Sequence, residues 1–365
     1  MRVQIVDPPA YTPPYDRSLC AALARAGAEV ELLTSPFAHG SVPAPEGYRA
    51  LEPFYSGTGA ARRARRAASH LTGMLRHRRA SEADLVHYQW LTFPRLDRFL
   101  LSPRHPRLFT AHGWLREGAW SDQPGRGLRG LFESMDAIVV LSEWGASRLR
   151  TAAAIPSERV KVIPHGAFDY LTRIPDPAPL LPELAGADRP VVLCFGLIRP
   201  YKGVDVLLEA FQQVEGAELW VVGRPLGVDL DRLRNLAERA RGRVRLVPRF
   251  VDDRQLPAIF ERADLVVLPH RDVEQSGVLF AALAFGKPIV MSAVGGFPEV
   301  AAQGAGCLVA PGDPEALAEA LNELLASPAE RERLAAGARA AAAGPYAWDS
   351  IAERHLALYR ELLDR

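Results

Sequence analysis

The stretch Phe195-Gly-Leu-Ile-Arg-Pro-Tyr-Lys-Gly203-Val-Asp-Val-Leu-Leu-Glu-Ala-Phe211 decides the fold. It opens on the end of an apolar run, passes through a short loop carrying Arg199 and Lys202, and continues with Val204, Leu207, Leu208 and Phe211 at i, i+3, i+4 and i+7. That pattern is a buried strand, a turn and an amphipathic helix. Two cations therefore sit at a strand end beside a helix N-terminus, where unsatisfied N–H groups and the positive end of the helix dipole already favour an anion. Arg grips oxygens with a planar fork and Lys acts as a compact point charge, so the pair suits a diphosphate. Lysines number only three, Lys161, Lys202 and Lys287, among 44 basic residues. That scarcity argues that the lysine beside Gly203 does more than solvate a loop.

Outward from this stretch, runs of strand length recur on both sides. Strands are expected at 3–6, 30–34, 84–88, 108–111, 137–141 and 160–163, and again at 191–195, 219–222, 244–247, 265–268 and 288–292. Helical patterns lie between them. The first is expected from about Arg17 to Ala26, with Asp16 as its N-cap and Gly27 just past its end. Ile174-Pro-Asp-Pro-Ala-Pro-Leu-Leu-Pro182 can continue neither regular element and reads as a stiff linker over residues 174–185. The predicted fold is thus α/β: two Rossmann-like, doubly wound parallel-sheet domains, residues 1–173 and 186–345, facing across a cleft. Ligands of open parallel sheets bind outside the carboxyl ends of the strands. Polar residues just past those ends are Asp7, His112, Ser142, Glu143, His165, Arg199, Arg224 and His270.

Length and composition agree. A chain of 365 residues exceeds what one core supports. No apolar run reaches 18 residues and Met1-Arg-Val-Gln-Ile-Val enters a strand directly, so neither a signal peptide nor a membrane span is expected, and the expected location is cytoplasmic. Cys20, Cys194 and Cys307 are odd in number and widely spaced, as reduced core thiols would be. A formal charge of +1 gives no general attraction to nucleic acid. The charge is uneven, however: residues 61–79 hold seven arginines and no acid. Such a helix either lies against an anionic membrane surface or presents a solvated face.

The ordered motifs Phe195-Gly-Leu-Ile-Arg-Pro-Tyr-Lys-Gly, Phe250-Val-Asp-Asp-Arg-Gln-Leu, Ala263-Asp-Leu-Val-Val-Leu-Pro269, Gln275-Ser-Gly-Val-Leu-Phe-Ala-Ala-Leu-Ala-Phe-Gly-Lys-Pro-Ile-Val290 and Gly295-Gly-Phe-Pro-Glu299 resemble the C-terminal half of retaining glycosyltransferases of family 4, which have the GT-B fold. Leu108-Phe-Thr-Ala-His-Gly113, Ile138-Val-Val-Leu-Ser-Glu-Trp144 and Val162-Ile-Pro-His-Gly166 resemble their N-terminal half. The last segment, 346–365, is similar to the family's closing helix, which crosses back onto the N-terminal domain.

That resemblance implies transfer of a hexose-type sugar from a UDP-, GDP- or ADP-sugar to a glycan, lipid or small-molecule acceptor, with no cofactor and no metal. It implies Arg199, Lys202, Gly277 and Val278 on the donor diphosphate, His112, Glu274, Gln275 and Ser276 on the donor sugar, and Phe250 and Val251 on the nucleoside. Tyr11, Tyr15 and Asp16 are candidates for the acceptor side, with Asp16 equally readable as a plain helix cap. Catalysis would fall to His112, Arg199, Lys202 and Glu274. Other readings are a sugar-nucleotide epimerase or phosphorylase of the same architecture, and a nucleotide-binding scaffold subunit. Two departures stand out. Ala281 or Ala282 occupies the place of the family's second glutamate, which commonly holds the ribose. A proline-rich loop, Asp7-Pro-Pro-Ala-Tyr-Thr-Pro-Pro-Tyr-Asp16, replaces the usual glycine-rich one and removes N–H donors.

Overall fold

Alternating strands and helices wind two parallel sheets. The structure, a computed structural model, describes residues 1–37, 42, 44–55, 62–104, 106–113 and 126–365, without the side chains of 62–66, 126 and 152. Strands β1 (Arg2–Val6), β2 (Glu29–Leu33), β3 (Arg49–Leu51), β4 (Leu85–Tyr88), β5 (Arg107–Ala111), β6 (Ala137–Val140) and β7 (Val160–Val162) form a sheet ordered β3-β2-β1-β4-β5-β6-β7. Strands β8 (Val191–Phe195), β9 (Glu218–Val222), β10 (Arg243–Val247), β11 (Leu265–Leu268), β12 (Ile289–Ser292) and β13 (Gly306–Val309) form another, ordered β10-β9-β8-β11-β12-β13. Every neighbouring pair is parallel.

With the first sheet go α1 (Pro13–Arg25), α2 (Arg62–Ala80), α3 (Pro94–Asp97), α4 (Arg126–Glu133) and α5 (Glu143–Ala153). With the second go α6 (Val204–Ala210), α7 (Leu230–Ala237), α8 (Leu256–Arg262), α9 (Gly277–Ala284), α10 (Phe297–Ala301), α11 (Pro314–Ala326) and α12 (Pro328–Ala343). The last helix, α13 (Trp348–Leu363), returns to the first sheet's unit. One unit comprises Met1–Gly166 and Trp348–Arg365, the other Ala167–Ala347.

Alternation within each strand explains the double winding. Val191, Leu193, Trp220, Val222, Val266 and Leu268 feed one core of the second unit, while Val192, Cys194, Leu219, Val221, Leu265 and Val267 feed the other. In the first unit α13 packs along α1 and buries Ile351, His355, Leu356 and Tyr359. Arg25 with Asp349 at 2.7 Å, and Lys161 with Glu361 at 3.2 Å, pin its two ends.

Three expectations need correction. The helix α1 begins at Pro13 and its N-cap is Thr12, because Pro13 and Pro14 suit the first turn, where missing N–H groups cost nothing. Asp16 therefore lies inside that turn, 1% exposed, and caps nothing. The proline-rich segment 174–185 belongs to the second unit. Leu181 and Leu184 enter its core, and the Ala178 N–H donates to the Arg254 carbonyl at 2.7 Å, so apolar burial and a backbone bond anchor the prolines. Strands β3 and β13 went unpredicted; both are edge strands, β3 only three residues long and β13 half exposed, and neither carries a clear alternation. Of the basic segment, Ala61 and the side chains of Arg62, Arg63, Arg65 and Arg66 lie outside the described residues. The rest of α2 turns His70, Met74 and His77 inward at i, i+4 and i+7 and leaves Arg76, Arg78 and Arg79 exposed. Among the described residues no helix is long and apolar enough to cross a membrane.

Candidate active site

In the second unit the decisive stretch folds as its pattern requires. Beyond β8 the loop is held by Gly196 N–H to the Val222 carbonyl and Ile198 N–H to the Arg224 carbonyl, both 2.9 Å. A single 3₁₀ turn, Pro200–Lys202, then leads into α6 through Gly203. Gly203 has φ +67°, and a Cβ there would stand 1.9 Å from the Pro269 carbonyl oxygen, so only glycine lets the loop close against the end of β11.

That closure folds Lys202 back over the strand end. Its Nζ lies 3.2 Å from the place a Cβ on Gly196 would take, and Val278, in the first turn of α9, lies 3.0 Å from the same place. Lysine ammonium, the end of β8 and the N-terminus of α9 are thus brought together within one unit. Burial lowers Lys202 to about 8, and the neighbouring charge of Arg199 pushes the same way. Two cations in mutual repulsion make a seat for an anion. The other lysines are already engaged: Lys161 with Glu361, Lys287 with the carbonyls of Glu261 and Ala263 at 3.0 and 2.8 Å. Among the described residues Lys202 has no carboxylate partner.

Glu274 and Ser276 are buried in the approach to α9, Gln275 and Val278 half-buried, and Gly277 exposed. The Gly295-Gly296 turn shapes this approach. Gly295 has φ +55° and a Cβ on it would strike the Val273 carbonyl oxygen at 1.8 Å, while the Gly296 N–H donates to the Glu274 carbonyl at 3.1 Å. The motif Gly295-Gly-Phe-Pro-Glu299 therefore positions the Glu274 backbone. Ser276 is the N-cap of α9, but its hydroxyl caps no N–H. Ala281 and Ala282 are 5% and 0% exposed inside the apolar core, so no acid stands at either place. Phe250 presents an exposed ring, whereas Val251 packs among Leu256 and Ile259 and offers only its backbone.

The strand ends of the first unit are built differently. Asp7, just past β1, accepts the Tyr11 N–H at 3.0 Å. Ala10 takes φ +48° where a glycine-rich loop would carry Gly, a strained setting costing of order 1 kcal/mol. Thr12 Oγ1 accepts from Trp90 Nε1 at 2.9 Å. Burial raises Asp7 to about 6 and, with the charge of Asp7 beside it, lifts Asp16 well above the usual carboxylate range. Burial thus favours the neutral form of the Asp16 carboxyl beside Asp7. Tyr15 is fully buried, its ring meeting His112, His165 and Trp348 at centroid distances of 4.6, 5.0 and 5.2 Å. Of the three acceptor-side candidates only Tyr11, 54% exposed, offers a surface; Tyr15 and Asp16 are interior groups, drawn in because α1 starts four residues earlier than expected.

His112, half-buried just past β5, donates from Nε2 to Gln89 Oε1 at 2.8 Å and stacks on Trp90 at 5.1 Å and 11°. Burial holds it well below the ordinary histidine value, so the ring is neutral. His165 donates from Nδ1 to the Gly166 carbonyl at 2.6 Å, where the chain leaves the first unit. Ser142 caps α5 by accepting the Gly145 N–H, and His270 is buried against Tyr201 and Phe297. Sequence reasoning missed Gln89 and Trp90, although both directly follow β4 and the rule that singled out His112 applies to them equally.

Known proteins give this geometry its context. Residues 17–167 match the family model described as Glycosyltransferase Family 4, and residues 189–327 the one described as Glycosyl transferases group 1. A D-inositol 3-phosphate glycosyltransferase of Xylanimonas cellulosilytica is 32% identical over 385 residues, covering 96% of this chain and 91% of that protein. Among solved structures, sucrose-phosphate synthase from Thermosynechococcus elongatus superposes with a TM-score of 0.75 at 22% identity, over 99% of this chain and 98% of that one. Anabaena HepE in complex with UDP-glucose does so with 0.73 at 20% identity, over 99% and 100%. These two likenesses show the fold; the relative, aligned almost end to end, shows the family. The chain is a glycosyltransferase belonging to glycosyltransferase family 4, with the two Rossmann-like sheets of the GT-B fold.

Proposed function

We propose that this glycosyltransferase moves a hexose-type sugar from a nucleoside-diphosphate sugar to a hydroxyl acceptor with retention at the anomeric carbon and without a metal. The observation that carries this reading is Lys202, which alone of the three lysines is held beside Arg199 and a helix N-terminus with no carboxylate partner among the described residues. As the bond from the anomeric carbon to the diphosphate oxygen breaks, negative charge gathers on the leaving group. Fixed cations there stabilise the transition state more than the ground state. The new bond forms from the acceptor oxygen to the same carbon, and the acceptor proton passes to the departing phosphate oxygen, so no protein base is called for. In this reading Gly277 and Val278 offer backbone N–H groups to the diphosphate, Glu274, Gln275, Ser276 and His112 meet the sugar hydroxyls, and the Phe250 ring lies against the base. Support for the donor class comes from HepE, whose structure holds UDP-glucose. The relative named for D-inositol 3-phosphate supports a small hydroxylated acceptor, and Tyr11 is the exposed residue for it.

Thermal shift with UDP, GDP, ADP and their sugars tests the donor. A ligand bound only by the native state stabilises it by RT ln(1+[L]/Kd), about 2.7 kcal/mol at a hundredfold excess over Kd. At least one nucleotide should raise Tm by several degrees in the wild type and not in Lys202→Ala; no shift with any of them overturns the nucleotide reading. We also propose peripheral contact with an anionic membrane through residues 61–79, supported by the exposed Arg76, Arg78 and Arg79 of α2. Sedimentation with anionic vesicles should then be strong at low salt and fade as salt screens the attraction. Indifference to lipid charge leaves α2 a solvated face.

A further inference from the structure

A buried polar chain runs through the first unit from its last helix to His112. Tyr359, on α13, meets His87 Nδ1 at 2.7 Å; His87, on β4, meets Thr110 Oγ1 of β5 through Nε2 at 2.7 Å; Gln89 Nε2 lies 3.4 Å from that same nitrogen; and Gln89 Oε1 accepts from His112 Nε2 at 2.8 Å. Tyr359, His87, Thr110 and Gln89 are each fully buried. His87 and Gln89 are two residues apart, so one face of the β4 strand line carries both.

The donors and acceptors can be assigned along it. A carboxamide oxygen only accepts, so the proton of His112 sits on Nε2. The carboxamide nitrogen only donates, and with the Thr110 hydroxyl it points at His87 Nε2, which accepts. His87 Nδ1–H then donates to the Tyr359 hydroxyl. Burial keeps both imidazoles neutral, so the assignment holds across the physiological range. Trp90 stacked on one side and the edge of Tyr15 on another leave the ring of His112 little freedom to turn.

We infer that Gln89 is the positioning residue of His112: its carboxamide oxygen fixes the proton on Nε2, which leaves Nδ1 as a hydrogen-bond acceptor for a hydroxyl of the bound sugar, and His87 and Tyr359 tie that orientation to the C-terminal helix. The inference rests on the reading of His112 as a sugar-contacting residue. It makes His112 an acceptor of a hydroxyl proton and not a donor or a base.

Spectra of the ¹⁵N-histidine-labelled protein, with His112 assigned through His112→Ala, read the positioning without any substrate. The wild type and Gln89→Glu should show a protected, hydrogen-bonded Nε2–H on His112, and Gln89→Leu should lose that protection. A proton on Nδ1 in the wild type, or protection unchanged in Gln89→Leu, overturns the inference. In kinetics, Gln89→Leu should lower kcat/KM about tenfold to a hundredfold, a loss on the scale of removing the partner that orients a metal-ligating imidazole. Gln89→Glu keeps the acceptor but raises the His112 pKa, so it should restore activity at high pH and add an acid limb absent from the wild type. A Gln89→Glu profile identical to the wild type also counts against the inference. If the spectra behave as stated while His112→Ala keeps full turnover, the contact of His112 with the sugar falls and the positioning by Gln89 stands.

Discussion

The two units solve the same architectural problem with opposite chemistry. Each presents polar residues at the carboxyl ends of a parallel sheet, yet the second keeps its charges and the first removes them. Around β8 the protein holds Arg199 and Lys202 together with no carboxylate partner for Lys202 among the described residues. Around β1, β4 and β5 burial pushes the Asp7 and Asp16 carboxyls up and the His87 and His112 imidazoles down, each toward its neutral form. A fixed charge suits a ligand that is always charged, whereas a neutral hydrogen-bonded surface suits hydroxyls, which a charge would bind with less discrimination in direction. On the proposed reading, the leaving group would be recognised by the charged side and what is transferred by the neutral one.

The largest expected effect is on the charged side. Arg199→Ala or Lys202→Ala should cost roughly 2 to 4 kcal/mol of transition-state stabilisation in kcat/KM, the scale of one lost oxyanion donor, with Tm nearly unchanged. Wild-type kcat/KM in either variant would falsify the diphosphate assignment and erase the contrast between the units. The same lysine predicts a pH limb. Because the ammonium titrates at about 8, nucleotide binding should weaken as pH rises through that value, by up to about tenfold per unit, and Lys202→Arg should remove the limb. The unfolded chain holds this proton up to about 10.5, so the free protein gains stability from this group as pH climbs between the two values. Calorimetric Kd values for UDP, or whichever nucleotide binds, from pH 7 to 9.5 check the limb.

A smaller effect belongs to the neutral side. Asp7 and Asp16 bind protons more tightly in the folded state, so the pair costs stability progressively as pH rises from 3.8 through about 6. Asp16→Asn keeps an N–H toward Asp7 and removes the acid that the folded protein holds neutral. It should stabilise the protein by about 1 to 2 kcal/mol at pH 8 and give little or nothing at pH 4. Equal changes in urea midpoint at both pH values would show that the two acids do not share a proton.

The charged seat was legible in the sequence because its elements are local. A strand, a 3₁₀ turn and a helix within Phe195–Phe211 bring Arg199 and Lys202 together, and the scarcity of lysine drew attention to the site. The neutral network was not legible. Its members, Tyr359, His87, Thr110, Gln89 and His112, lie up to 272 residues apart, and no short pattern announces that α13 will place Tyr359 against β4. Proline chemistry misled in two places for one reason: proline forbids hydrogen bonds but says nothing of burial. Pro13 and Pro14 opened a helix earlier than Asp16 suggested, and the prolines of 174–185 flank Leu181 and Leu184, which fill a core. At the place where the resemblance puts a second glutamate, Ala281 and Ala282 are sealed in apolar packing.

The return of α13 to the first unit bears on how the chain is made. Synthesis delivers residues 1–166 first, but Tyr15 and His87 then lack Trp348, His355 and Tyr359, which emerge only after the inserted unit. The inserted unit, Ala167–Ala347, is continuous and has both of its cores to itself. The usual order, in which the N-terminal domain is finished first, is thereby reversed. A ribosome stalled just before Trp348 would carry a completed second unit attached to a half-built first one with its α13-facing apolar side exposed. Residues Trp348–Arg365 thus couple the settling of the first unit to completion of the inserted one, because only their arrival lets residues 1–166 close their core.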